Sequence, residues 1–292
     1  MCRRAETFGD KERLRMRSNA KKEILKYIRD VTFRGKVLQI FKDIIYYYPQ
    51  DLRVMYINDI ERFLFNIANI ALSYAPGKKL LDIGGGSLPY PLVLQALGME
   101  VTIVDDFKDR YINRYGAIEL VNAIHRTHDV NIIEGDALEL NLPLEDNSIN
   151  RVTCFEVIEH FHHSPKRLFE DIVMVLKPGG FFILSTPNAV SIVKRIRALF
   201  CRTNYPSFRY FYFEGYPCRG HIREPVLSEL LEVMSWNNLL VILKLGKNWL
   251  GKEKYPIVFK WPFKYLLNLL ELFPTLCSNL IVIGVKGGER YD

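Results

Sequence analysis

Two hydrophobic periods divide the chain. Between residues 21 and 75 apolar positions recur at three- and four-residue steps: Ile24, Tyr27, Ile28 and Val31, then Ile57, Ile60, Leu64, Ile67 and Leu72. That spacing lines one face of an α-helix, so residues 1–75 read as a helical N-terminal extension. From Lys78 the pattern changes to short β-rich apolar runs, at 79–83, 101–104, 131–133, 149–155 and 181–185, separated by helix-length stretches. Strands alternating with helices imply a parallel sheet with helices on both faces, an α/β domain over 76–292. Later a helix is expected at 226–236, a strand at 239–245 and a terminal strand at 279–286, the last two as neighbours. There is no internal repeat.

Two insertions stand out. Residues 190–225 carry Lys194, Arg195, Arg197, Arg202, Arg209, Arg219 and Arg223, interleaved with Phe200, Tyr205, Phe208, Tyr210, Phe211, Tyr212, Phe213 and Tyr216. A basic, aromatic stretch suits a phosphate, a sugar, a base or an acidic membrane, and its position suggests a lid over an acceptor site. Residues 247–276 are the second. After Pro262, Lys264, Asn268 and Glu271 share one stripe while Phe263, Tyr265, Leu266, Leu267, Leu269, Leu270, Leu272 and Phe273 cover the rest. This apolar helix is either buried or at a homodimer interface, or lies against lipid with Lys260 and Trp261 at its start.

Composition narrows the class. With 292 residues, 49% hydrophobic and 25% charged, the chain is neither disordered nor fibrous. No apolar run reaches transmembrane length and no leader is apparent, so the expected place is the cytoplasm, with peripheral contact at the inner face of a membrane as an extension. Cys2, Cys154, Cys201, Cys218 and Cys277 form no CxxC pair and read as reduced thiols. The net charge of +7 suggests an anionic partner, although the bases of residues 1–30 alternate with acids as on a solvated face.

The chemistry concentrates at strand ends. Asp82-Ile83-Gly84-Gly85-Gly86 runs from a strand into a glycine turn, where a missing Cβ lets backbone approach a ligand. A nicotinamide oxidoreductase would use a similar loop, but Pro89 stands where GxGxxG needs its third glycine. Asp82 would also repel a pyrophosphate, whereas it suits a cationic amino-acid head. Asp105 and Asp106 close the next strand, about 20 residues on, at the spacing of a ribose-binding carboxylate. Asp136-Ala137 follow the third strand, where an acid can accept from an adenine amine. Each acid alone is equally a helix N-cap; three at successive strand ends point to a nucleoside.

On these residues the chain resembles the class I S-adenosylmethionine-dependent methyltransferases over roughly 78–286. Asp82, Gly84 and Gly86 match the DxGxG motif, with Gly85 between them; Asp105 and Asp106 match the ribose acids, and Asp136 and Ala137 the adenine pair. Phe155-Glu156-Val157-Ile158-Glu159-His160 matches the element after the fourth strand, and Leu176-Lys177-Pro178-Gly179-Gly180 the turn before the fifth. The resemblance implies a Rossmann-like sheet of order 3-2-1-4-5-7-6 with the last strand antiparallel, and S-adenosylmethionine as cofactor, with Phe155 beside it. Ser185-Thr186-Pro187-Asn188 and His221-Ile222-Arg223-Glu224 are similar to the branch of ubiquinone-pathway and sugar or glycolipid O-methyltransferases. That branch implies a hydroxyl on a small-molecule, glycan or lipid-linked acceptor.

A hydroxyl needs activation, and His160 and His221 are the candidate bases. Glu156, Glu159 and His160, at i, i+3 and i+4, are expected on one side of a helical turn; with His221 they form a candidate magnesium or manganese set. A similar set binds a divalent ion in small-RNA terminal 2′-O-methyltransferases. The metal-free base is the preferred reading. Its rivals are an RNA methyltransferase, favoured by charge but lacking an RNA-binding module, and a non-catalytic adaptor on the same fold; DNA is not an expected partner.

Overall fold

The computed structural model describes residues 30–72, 77–86, 88–108, 118–202, 205, 207–213, 220–248 and 269–287. Among these residues three N-terminal helices, α1 (Val31–Ile45), α2 (Gln50–Asn58) and α3 (Ile60–Leu72), precede the sheet. Then come β1 (Lys79–Ile83), α4 (Tyr90–Ala96), β2 (Glu100–Asp105), α5 (Ile118–Thr127), β3 (Asn131–Glu134) and β4 (Ile149–Phe155). They are followed by α6 (Lys166–Val175), β5 (Leu176–Pro187), α7 (Ile192–Leu199), α8 (Phe208–Phe213), α9 (Leu227–Trp236), β6 (Leu239–Lys247) and β7 (Asn279–Lys286). The seven strands lie in the order β3-β2-β1-β4-β5-β7-β6. β1 to β5 are mutually parallel, and β7 runs antiparallel between β5 and β6.

Alternation along the strands builds two cores. Leu80, Val101, Ile103, Phe181, Ile183, Ile281 and Ile283 pack with Val37, Phe41, Ile67, Ile70 and Leu92 of the N-terminal helices and α4. Leu81, Ile83, Val104, Val152, Phe182, Leu184 and Val282 pack with α6, through Leu168, Phe169 and Ile172, and with α9, through Leu230 and Met234. A one-residue slip in any strand would exchange these sets, which fixes the register. The N-terminal helices therefore share a core with the sheet. Tyr48, Tyr56, Phe63 and Phe41 form an aromatic chain inside this layer, with centroids 5.6 Å apart at each step.

β5 is longer than its apolar run. Buried Leu176 pairs with Ile149, so the sheet extends through Lys177-Pro178-Gly179-Gly180, with Gly179 at positive φ. The expected apolar helix of 247–276 is described only from 269 onward, ending in a 3-10 turn at Pro274–Leu276; the rest, and the homodimer and lipid readings attached to it, lie outside the described residues. So do Ile24, Tyr27, Ile28 and the basic run before residue 30. Among the described residues no helix is long and apolar enough to cross a membrane.

Candidate active site

The parallel strands present their C-terminal ends at one edge, and Asp82, Asp105, Asp136 and Glu156 stand at or just beyond the ends of β1 to β4. Asp82 is fully buried. Its Oδ1 accepts hydrogen bonds from Thr153 Oγ1 at 2.5 Å and from the Tyr90 hydroxyl, whereas Oδ2 has no hydrogen-bond partner among the described residues. Burial pushes the carboxyl up to about 7; the two donors oppose that shift and Asp105 adds to it.

Gly85 stands against the donorless oxygen: a Cβ there would lie 1.6 Å from Asp82 Oδ2. Gly84 takes φ +77° and donates its N–H to Val104 O. At Gly86 a Cβ would lie 2.6 Å from Asp105 Cγ and 2.7 Å from Phe107, so the space a side chain would enter belongs to the chain itself. Gly86 N–H donates to Asp105 Oδ2 at 2.9 Å and Phe107 N–H to Oδ1 at 2.6 Å, which fixes the carboxylate's orientation. Asp106 accepts from Lys108 N–H instead, through a local turn. Asp136 accepts from Leu138 N–H, and His162 Nε2 lies 3.8 Å from its other oxygen. Ala137 is half-buried beside them. The Phe155 ring is buried and packs on Tyr90 at 5.6 Å, inside the core.

Whether these residues fit S-adenosylmethionine turns on Asp82 Oδ2. A buried carboxylate oxygen lacking a donor, beside glycine backbone, is costly alone and is matched by a cationic amino-acid head. Asp105 is a carboxylate acceptor of the kind a ribose diol requires. The residues fit the cofactor.

After β4 the chain turns sharply. Glu156 takes φ +57°, ahead of a 3-10 turn at Ile158–His160, so Glu156, Glu159 and His160 do not share one helical turn. Strand β4 ends at Phe155, and only Glu156 and Val157 separate it from that turn. Glu156 is occupied elsewhere: it accepts from Ser185 Oγ and Asn279 Nδ2, each at 2.9 Å, and pairs with Arg62 of α3 at 2.8 Å. Glu159 is buried. Its Oε2 accepts from Thr186 Oγ1 at 3.1 Å, and its Oε1 has no hydrogen-bond partner among the described residues. Burial, then the charge of Glu156, pushes its carboxyl well above the ordinary carboxylate range.

His160 and His221 meet at this oxygen. Their rings are 4.8 Å apart and nearly perpendicular, and both Nε2 atoms stand 4.0 Å from Glu159 Oε1. Backbone bonds from Ile222 and Arg223 N–H to Glu159 O hold His221 there. His160 Nδ1 lies 3.2 Å from Gly220 O, and His221 Nδ1 lies 2.9 Å from Glu224 Oε1. Those acceptors place the proton on Nδ1 in both rings and turn the Nε2 lone pairs toward Glu159. Burial lowers His221 to about 4, with the charges of His160, Lys194 and Arg62 adding to it. Glu159, His160 and His221 offer ligand atoms within 4.8 Å of one another. A closed shell about a divalent ion has edges of about 3 Å, so the three side chains would draw in by roughly half an ångström each.

Arg62, Tyr90, Thr153, Lys194 and Glu224 were not legible as site residues. No spacing links Arg62 to Glu156, or Tyr90 to Asp82; only the packing of α3 and α4 on the sheet joins them. Lys194 of α7 pairs with Glu224, and burial lowers it to about 8. Asn188 of the Ser185-Thr186-Pro187-Asn188 run donates to Thr275 O at 3.0 Å and Cys277 O at 2.8 Å, fastening the approach to β7.

A methyltransferase-domain family model matches residues 56–242. Among curated proteins, a ubiquinone biosynthesis O-methyltransferase of Xanthomonas campestris pv. campestris is 30% identical over 121 residues, 41% of this chain and 46% of that one. A probable S-adenosylmethionine-dependent methyltransferase of Mycolicibacterium smegmatis is 31% identical over 116 residues, 39% of this chain and 40% of that one. The chain thus spans less than half the length of these relatives. Solved structures of S-adenosylmethionine-dependent methyltransferases from Thermotoga maritima and Mesorhizobium loti each superpose with a TM-score of 0.50. They cover 84% and 78% of this chain, 99% and 98% of their own, at 13% and 14% identity, a likeness of fold.

Proposed function

The chain belongs to the methyltransferase-domain family, and on that premise we propose that it transfers a methyl group from S-adenosylmethionine to a hydroxyl of a quinone-like or sugar acceptor, small or lipid-linked. One observation carries the reading. Asp82, with its donorless oxygen, lies at the C-terminal end of β1, and Glu159 and His160, with His221 against them, follow the end of β4, the adjacent parallel strand. A cofactor cradle and an activating cluster thus share one edge. The O-methyltransferase relatives support an oxygen acceptor.

When bound, the cofactor supplies an electrophilic sulfonium methyl. The chain's residues hold and orient: Asp82 takes the amino-acid head, Asp105 the ribose, and Asp136 with Ala137 borders the adenine. His221 is neutral, and Glu224 fixes its tautomer so that Nε2 offers a lone pair toward the acceptor hydroxyl. His160, oriented through Gly220 O, does the same from the other side.

A specific observation favours a second reading at the same place. Both Nε2 atoms face a carboxylate oxygen that has no donor, and 4.0 Å is too long for a hydrogen bond between them. Glu159, His160 and His221 would hold magnesium or manganese, and the ion would lower the pKa of an acceptor hydroxyl. Glu156, already paired with Arg62, is not a ligand in this reading.

The test incubates the protein with methyl-labelled cofactor and extract, separated into lipid, glycan, RNA and protein fractions, before and after EDTA and with manganese restored. Label in the lipid or glycan fraction supports the proposal. Label in RNA alone replaces it with an RNA methyltransferase, and S-adenosylhomocysteine binding without any transfer replaces it with an adaptor. Full activity in metal-free protein leaves the histidines as bases.

A further inference from the structure

The inward and outward sides of α7 are chemically opposite. Lys194 turns in toward Glu224, the carboxylate that orients His221. On the outward side, at about 100° per residue, Ile192, Val193, Ile196, Leu199 and the capping Phe200 fall within an arc of about 120°, flanked by Arg195 and Arg197. None of the residues of α7 is buried, and Val193, Ile196, Leu199 and Phe200 are 50%, 48%, 82% and 72% exposed. The surface continues through Arg202, Tyr205, Phe208, Arg209, Tyr212 and Phe213, all exposed. No acidic residue occurs between 190 and 213. The aromatics of this segment whose burial is described, Phe200, Tyr205, Phe208, Tyr212 and Phe213, are all exposed.

We propose that α7 docks the protein on a bilayer containing anionic lipid, with the apolar arc in the acyl-headgroup boundary and the arginines among the phosphates. An exposed arc that is aliphatic at its centre and bordered by arginines suits that boundary, where the apolar residues leave water and the bases meet negative headgroups. A second copy of this chain is disfavoured on this face, because like arginines would meet at the rim. Nucleic acid is disfavoured by Val193, Ile196 and Leu199, which offer neither a stacking face nor a donor. The docking stands on this surface alone. Its consequence, that the acceptor hydroxyl arrives from the membrane side past Lys194, rests on the methyl-transfer reading.

The test is flotation of the full chain with phosphatidylcholine vesicles, plain or with a quarter of the lipid replaced by phosphatidylglycerol. The chain should float with the anionic vesicles, at least about tenfold more weakly with plain ones, and be released by high salt. Arg195→Glu with Arg197→Glu, and separately Ile196→Glu with Leu199→Glu, should each lower anionic-vesicle binding by at least about tenfold. Both variants should keep wild-type affinity for S-adenosylhomocysteine by calorimetry, which shows that fold and cofactor site survive. Unchanged flotation in both variants overturns the proposal. So does a wild type that ignores anionic vesicles while binding polyuridylate, or one whose oligomeric state alone responds to Ile196→Glu. Loss of methyl transfer with flotation intact would count against the functional reading and leave the docking untouched.

Discussion

Asp82 gives the fold a pH dependence that can be measured without any substrate. Its carboxyl sits at about 7 in the folded chain against 3.8 for the ordinary group, and it is fully buried, so solvent screening does not dilute the shift. Between about pH 4 and pH 7 the unfolded chain has lost this proton while the folded chain keeps it, so stability is greatest below that window and falls as pH rises through it. The shift corresponds to about 4 kcal/mol, reached above pH 7. Asp82→Asn removes the ionisation but leaves an amide N–H with no acceptor, at a cost of roughly 1–3 kcal/mol. The variant should therefore be more stable than the wild type by about 1–3 kcal/mol near pH 8, and less stable than it by about 1–3 kcal/mol near pH 4. Urea unfolding of both proteins across the range reads the difference, in which other titrating groups largely cancel. The same ionisation should govern the cofactor's amino group: wild-type affinity for S-adenosylhomocysteine should rise about tenfold per pH unit below 7 and then level, with proton release on binding. Parallel stability curves for the two proteins would refute the argument, because they would mean that Asp82 is not the group carrying the slope.

Gly85→Ala should abolish S-adenosylhomocysteine binding by calorimetry and lower Tm, since its Cβ would lie 1.6 Å from Asp82 Oδ2 and one of the two must move. Arg62→Ala leaves the charge of Glu156 without its cation and should cost about 1–3 kcal/mol in urea unfolding, with Arg62→Lys recovering part of it. Asn188→Ala removes two hydrogen bonds that hold the approach to β7 and should cost about 1–3 kcal/mol; unchanged stability would show that segment to be held by other contacts. Glu159→Gln and His221→Ala should each abolish manganese uptake measured by elemental analysis of dialysed protein, with fold retained by circular dichroism; undiminished uptake would remove the ion reading.

The sheet was legible because its strands carry their own punctuation. β1, β4 and β7 begin and end where apolar runs meet turn residues, and three acids at successive strand ends mark the edge to which the parallel strands run. β5 was legible only in its middle, since Lys177-Pro178-Gly179-Gly180 looks like a turn in isolation and becomes strand because Leu176 is drawn against Ile149. Local spacing misled at Glu156: a helical i, i+3, i+4 reading assumes helical φ, and the residue is left-handed. At Gly86 the sequence does not show that a side chain would meet Asp105 and Phe107.

What stayed illegible is long-range and electrostatic. Arg62 reaches Glu156 from a helix 94 positions earlier (156 − 62) because α3 packs across the sheet, and neither residue type nor spacing announces it. The consequence reaches the site's charge. Arg62 neutralises Glu156, which would otherwise raise the Glu159 carboxyl further, and it depresses the His221 imidazole at the same time. A helical layer that periodicity reads as an extension thus contributes, after burial, to the protonation of the carboxylate and histidine proposed to meet the acceptor. Removing α1 to α3 should therefore do more than expose the core beneath Ile67 and Ile70. With Arg62 gone, the remaining carboxylates would compete for protons, and Glu159 would be less able to face a cation as an anion. Arg62→Met tests this without disturbing the helix, because it keeps much of the side-chain bulk. If the layer acts through charge, that variant loses manganese affinity while Glu156→Gln combined with it restores part of the loss; if it acts only through packing, neither change moves the affinity.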